Sequence, residues 1–141
     1  MRQRIVRRVG ALAAIFMTLF AVSAIVAPAA NASAQGCTNS QIGAWPAWVC
    51  TSVWGSKLRV DHISVSIDIA HYTCNGNFKA WGTLKNGKHY DSGVKHGKCG
   101  VGRVWVDWYP KKSFKNGTKV CGAIVENGKT RPEHACIKIH S

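Results

Sequence analysis

Acidic residues are scarce in this chain. Six Asp and Glu stand against nineteen Lys and Arg in 141 residues. Close cysteine pairs are missing as well: the nearest two of the six are 13 residues apart, so the C-x-x-C spacing of a structural zinc site does not occur. There is no G-x-S-x-G, no H-E-x-x-H and no glycine-rich phosphate loop, which removes the sequence signatures of the common hydrolases, zinc proteases and nucleotide binders. No stretch of ten residues beyond the first thirty keeps a 3.6-residue apolar period, which argues against helices. Neither an internal repeat nor a low-complexity linker is present, and the length suits one domain.

The N-terminus is the one long apolar run. Arg2, Arg4, Arg7 and Arg8 form a basic head, Val9 to Ala30 carry no charge, and Pro28 is followed by small residues ending in Ala32-Ser33-Ala34. That tripartite pattern predicts a signal helix with a cleavable signal peptide over residues 1–34 and a secreted domain over 35–141. An uncleaved anchor is the alternative that the 22 uncharged residues allow. The small-residue end and Pro28 suit a peptidase better. Lipidation of Cys37 would leave five cysteines, an odd number. In length and arginine-rich head the segment resembles the export signals of Gram-positive bacteria.

All six cysteines, Cys37, Cys50, Cys74, Cys99, Cys121 and Cys136, lie beyond the signal, and six in a short exported chain imply three disulfides. Removing the four signal arginines leaves fifteen basic side chains against six acids, a net charge of +9. That excess favours anionic partners. Twelve of the fifteen are lysines, hydrated point charges without the guanidinium fork, which argues against specific reading of nucleic-acid phosphates.

Short alternating segments separated by Gly and Asn dominate the domain. Ile63, Val65, Ile67 and Ile69 fall on one face of Val60 to Thr73, with Ser64, Ser66 and Asp68 on the other, the pattern of a half-buried strand. Phe78 to Val94 reads as a hairpin around Asn86-Gly87. A three-residue loop, Lys85-Asn86-Gly87, is expected to set Leu84 against Tyr90 and Ala80 against Val94. Thr118 to His140 reads as a second hairpin with Cys121 opposite Cys136, Val120 opposite Ile137, and a four-residue connection Asn127-Gly128-Lys129-Thr130. A Cys121–Cys136 disulfide follows from that register. Cys37–Cys50 and Cys74–Cys99 follow from proximity alone. With strands at Trp45 to Trp54 and Val101 to Tyr109, the fold class is all-β: a small disulfide-stapled antiparallel β-sandwich of immunoglobulin-like kind, or a small barrel.

Chemistry is sparse. The six histidines show no metal-ligand spacing, and no cofactor is expected. Arg131, Glu133, His134 and His140 supply the residue types of a small secreted ribonuclease. His134 and His140 are six apart on one strand, however, roughly 20 Å, too far to flank one scissile group. A non-catalytic protein is expected. Val104, Val106 and Trp108 form a core face, leaving Arg103, Trp105, Asp107 and Tyr109 on the other. Trp81 likewise sits with Lys79 opposite Phe78, Ala80 and Leu84. If the two strands are neighbours, Trp81, Trp105, Tyr109, Lys79 and Arg103 form an aromatic and cationic platform for sugar rings or anionic polymers. Lys111, Lys112, Lys115 and Lys119 around Pro110 add a basic loop that would guide an anionic polymer. The expected function is monomeric binding of anionic or carbohydrate surfaces such as cell wall. A cationic antimicrobial or toxin-like protein is the alternative, ranked second because no strand shows an unpaired apolar face.

Overall fold

The computed structural model describes residues 33–74 and 76–141. The signal segment expected over 1–34 lies outside the described residues except for its last two. Ten strands follow: β1 (Ala34–Ile42), β2 (Trp45–Ser56), β3 (Arg59–Thr73), β4 (Asn77–Thr83), β5 (His89–Asp91), β6 (Lys95–His96), β7 (Gly100–Trp108), β8 (Lys112–Ser113), β9 (Lys119–Glu126) and β10 (Lys129–Lys138). They form two antiparallel sheets. Sheet A runs β1-β2-β3-β7, with β8 also on β3; sheet B runs β10-β9-β4-β5, with β6 also on β4. Among the described residues no helix is long and apolar enough to cross a membrane.

The period-2 pattern decides which side chains fill the space between the sheets. Val49, Thr51 and Val53 of β2, Ile63, Val65 and Ile67 of β3, and Val104, Val106 and Trp108 of β7 point inward and are buried. Phe78 and Ala80 of β4, Val120 and Ile124 of β9, and Ala135 and Ile137 of β10 meet them from sheet B. The layers come closest at Gly122, where an added Cβ would run into the Val65 and Thr51 side chains. There the buried Thr51 hydroxyl donates to the Ala135 carbonyl at 2.9 Å, so its polar atom is satisfied.

All three expected disulfides are present: Cys37–Cys50, Cys74–Cys99 and Cys121–Cys136, with Cα–Cα distances of 4.1, 4.1 and 4.0 Å. Two of them join directly opposed residues of neighbouring strands, Cys37 with Cys50 and Cys136 with Cys121. The third ties the β3–β4 connection to the start of β7.

The structure corrects the register of the first hairpin and the connection of the second. The Lys85-Asn86-Gly87 loop forms as expected, closed by the Gly87 amide donating to the Leu84 carbonyl at 2.9 Å. It sets Gly82 opposite Tyr90, and so neither Leu84 opposite Tyr90 nor Ala80 opposite Val94. Ala80 faces Ser92 instead: its amide donates to the Ser92 hydroxyl at 2.8 Å, and the Ser92 amide returns to its carbonyl at 2.9 Å. A three-residue loop requires this two-residue displacement, which keeps every side chain on its face. The bare Cα of Gly82 makes room for Phe114, whose ring meets Tyr90 edge-on at 5.4 Å.

In the second hairpin Cys121 faces Cys136 and Val120 faces Ile137, as expected. The connection is a two-residue turn at Asn127-Gly128, where both residues have positive φ (52° and 74°), and not the four-residue loop. That is the backbone Asn-Gly favours in tight hairpins. The surplus is absorbed by a bulge between Thr130 and His134, where Pro132 has no amide to give the ladder.

One pole of the sandwich is closed by the chain after β7. β8 pairs with the start of β3, and the next residue, Phe114, bridges to Leu84 at the end of β4. The Phe114 amide donates to the Leu58 carbonyl (2.8 Å), the Lys115 amide to Thr83 (3.0 Å) and the Lys85 amide to Ser113 (2.9 Å). Phe114 is fully buried. This strap fastens the β2–β3 turn to the β4–β5 loop across the two sheets.

Candidate functional site

β4 lies in sheet B and β7 in sheet A, so the platform drawn from sequence divides in two. Trp105, Tyr109 and Arg103 stand on the outside of sheet A. Trp81 and Lys79 stand on the outside of sheet B, at the opposite side of the molecule. There the Trp81 indole lies edge-on to His134 at 5.6 Å, in register with Cys121, and the Lys79 ammonium pairs with Asp91 at 2.7 Å. That ion pair holds the Asp91 carboxyl below the usual carboxylate range. Both side chains are half-buried and already partnered. His134 lies close to the sulfurs of Cys121 and Cys136, but those sulfurs are joined to each other and offer no thiolate to a metal.

Sheet A supplies other partners for Trp105. β3 is its central strand, with β2 on one side and β7 on the other, and the registers define the outer rows. Trp48 sits opposite Asp68, which sits opposite Arg103. In the next row Cys50, Ser66 and Trp105 lie side by side, and further along Ser52, Ser64 and Asp107 do the same. The last row joins Trp54 to His62, with Tyr109 following the end of β7. Every second residue of three adjacent strands therefore contributes to one face, and the large ones are aromatic. They are open to solvent: Trp48 is 56% exposed, Trp105 55%, Trp54 41% and Tyr109 64%. Cys50 and Ser66 point outward yet are buried, so they form the floor between the indoles. At the usual rise and strand spacing the rings cover about 20 Å along β2 and about 10 Å across to β7.

Two fixed polar pairs punctuate this face. Arg103 grips Asp68 through both carboxylate oxygens, Nε at 2.6 Å and Nη2 at 2.7 Å. The hydrogen bond and charge of Arg103 hold the Asp68 carboxyl below its usual range, and Asp68 in turn raises the guanidinium. The fork leaves further guanidinium N–H groups for a ligand. At the other end His62 is stacked between Trp54 and Tyr109, centroids 4.4 and 4.7 Å away and planes within 14°, and its Nε2 meets an Asp107 oxygen at 2.9 Å. Among the described residues no hydroxyl or thiol hydrogen-bonds to this imidazole. Its evident effect is to lock three rings in place.

At the Arg103 end of this face Pro46, Trp48, Ala70, Gly102 and Arg103 line an open groove of about 740 Å³ over Asp68 and Ile69. The floor is low because Ala70 is small and Gly102, at φ 84°, carries no side chain.

Trp48 and Trp54 were not singled out by the sequence reading. Their signal is the alternation of Trp48, Cys50, Ser52 and Trp54 against the buried Val49, Thr51 and Val53. Only the strand order joins that face to Trp105. Compared with protein-family models, curated proteins and solved structures, the chain matches none of them.

Proposed function

We propose that this is a secreted, non-catalytic binding protein whose site is the outer face of sheet A, and that the ligand is a polysaccharide lying flat on the indoles of Trp48 and Trp105 and on the Trp54–His62–Tyr109 stack. The observation that carries the reading is the row of half-exposed rings on three neighbouring strands. Single exposed apolar side chains are ordinary, but a contiguous exposed aromatic patch marks a surface made for contact with something else. Sugar rings present apolar C–H faces that match a flat aromatic surface, with edge hydroxyls for Arg103 and Asp68. The pre-formed stack and the bidentate ion pair need little ordering on binding, which lowers its entropic cost. Export by the 1–34 signal, with cleavage before Gln35, would deliver the domain to an oxidising exterior where its three disulfides persist.

The cationic toxin reading is less well supported: the exposed rings stand on a rigid sheet face interleaved with serines, an aspartate pair and an arginine, unlike the continuous apolar face a bilayer requires. The test is co-sedimentation of the oxidised mature domain with chitin, cellulose and purified cell wall at low and high salt. With Trp105 55% exposed, a sugar covering half of roughly 130 Å² of open indole gains about 1.6 kcal/mol, or about 15-fold per ring. Retention on at least one polymer should survive high salt, because stacking is not screened. Retention lost with salt, or absent from all three, refutes the platform.

A further inference from the structure

We infer that the polysaccharide is a polyanion, its sugar faces on the rings and its carboxylate or phosphate groups on a lysine pole at the Trp54–Tyr109 end; this rests on the platform reading and narrows it to one class of ligand. Six of the twelve lysines of the domain lie in the loops that the strap draws together. Lys57 is in the β2–β3 turn, Lys85 and Lys88 are in the β4–β5 loop, and Lys111, Lys112 and Lys115 are on the strap itself. All six are exposed. Among the described residues none of them pairs with a carboxylate. The acids nearest in sequence already have partners: Asp91 is held by Lys79 and Asp61 by Arg59, each at 2.7 Å.

Three features make this pole a built surface rather than a scatter of solvated charges. First, the three hydrogen bonds of the strap fix the backbones of these loops on one frame, so all six lysine stems start from the same end of the sandwich. Second, Lys57 and Lys111 have left-handed backbones, φ 52° and 51°, where Gly or Asn would sit at less cost. These two follow Trp54 and Tyr109 by three and two residues, so lysine stands in a strained position just past the ends of β2 and β7, beside the ring stack. Third, Lys119 sits directly opposite Lys138 across β9 and β10 at the same pole, a like-charge pair that opposes folding. Positive charge is therefore concentrated here at the expense of stability. By contrast, the polar groups on the face of the platform have partners there, Arg103 with Asp68 and Asp107 with the His62 imidazole. Stacking and charge thus stand next to each other on the molecule, so that one chain carrying both apolar sugar faces and anionic groups can reach both.

The probes are soluble polygalacturonate, a neutral linear β-glucan of similar length and a single-stranded oligothymidylate, each titrated at low and high salt. The variant Lys57→Gln/Lys111→Gln/Lys115→Gln keeps the side-chain stems and removes three charges. It should bind polygalacturonate about tenfold more weakly at low salt and the neutral glucan as the wild type does. Trp105→Ala should weaken both glycans. Wild-type affinity of the triple variant for polygalacturonate, equal loss on the neutral glucan, or tighter binding of the oligonucleotide than of polygalacturonate would overturn the inference. Failure of the platform reading shows separately, as unchanged glycan binding by Trp105→Ala.

Discussion

Phe114→Ala probes how the two sheets and the lysine pole are held together. The Phe114 ring has no solvent exposure, fills the space left by Gly82 and meets Tyr90 at 5.4 Å, and its residue lies in the strap just after β8, which ties the start of β3 to the end of β4. Truncating a fully buried phenylalanine costs about 3–5 kcal/mol, the transfer of the ring plus the cavity left behind. At roughly 4 °C per kcal/mol for a domain near 100 residues, the melting temperature should fall by about 12–20 °C. Thermal unfolding followed by near-ultraviolet circular dichroism under oxidising conditions measures it, with Phe114→Leu expected in between. Because the strap carries Lys111, Lys112 and Lys115, amide exchange there and in the β4–β5 loop should accelerate before the rest of the sheets. A fall of less than about 4 °C, with strap exchange unchanged, would show that Phe114 does not fasten the sheets and that the pole is held by something else.

Two further outcomes follow from the geometry. Asp68 is held below its usual range by Arg103, so its pair contributes stability above the unfolded carboxyl value near 4 and loses it as pH falls through the lower folded value. With both side chains partly exposed the pair is worth at most about 1 kcal/mol. Fluorimetric melting should therefore show wild type above Asp68→Asn at neutral pH and the gap closing towards pH 2; a gap that widens in acid contradicts the assignment. Replacing Cys121 and Cys136 together with Ala opens a link of sequence separation 15. It should lower stability in urea titration by about 3 kcal/mol, and an unchanged midpoint would mean that the disulfide constrains nothing the β9–β10 ladder does not.

What could be read from residue order and what could not divides along a physical line. Alternation is local, so the inward faces of β3 and β7 and the pairing of Cys121 with Cys136 follow from neighbours in sequence. Strand order is not local. After β3 the chain enters the other sheet for β4 to β6 and only then returns beside β3 as β7, which places Trp105 across β3 from Trp48 rather than beside Trp81. Nothing in the residues around Trp81 and Trp105 distinguishes the two faces, since both mix indole, cation and small polar residues. The connection of the second hairpin escaped the pattern because the alternation does not show the bulge before His134. The pairing of the first lies two residues from the expected one, a displacement that a hydrophobic pattern leaves free because it fixes only the face. β1 was overlooked because Ala34 to Ile42 is mostly polar, and it is exposed along much of its length as an edge strand.

The decisive measurement compares two faces of one molecule. The double variant Trp48→Ala/Trp105→Ala and the single variant Trp81→Ala, each shown to be folded and fully oxidised, would be sedimented with the polymer that retains the wild type at high salt. If the outer face of sheet A is the site, the double variant is released by about two orders of magnitude in affinity, as two separated rings contribute independently, and Trp81→Ala is retained as the wild type is. Retention of the double variant together with release of Trp81→Ala would place the site on sheet B and contradict the proposal.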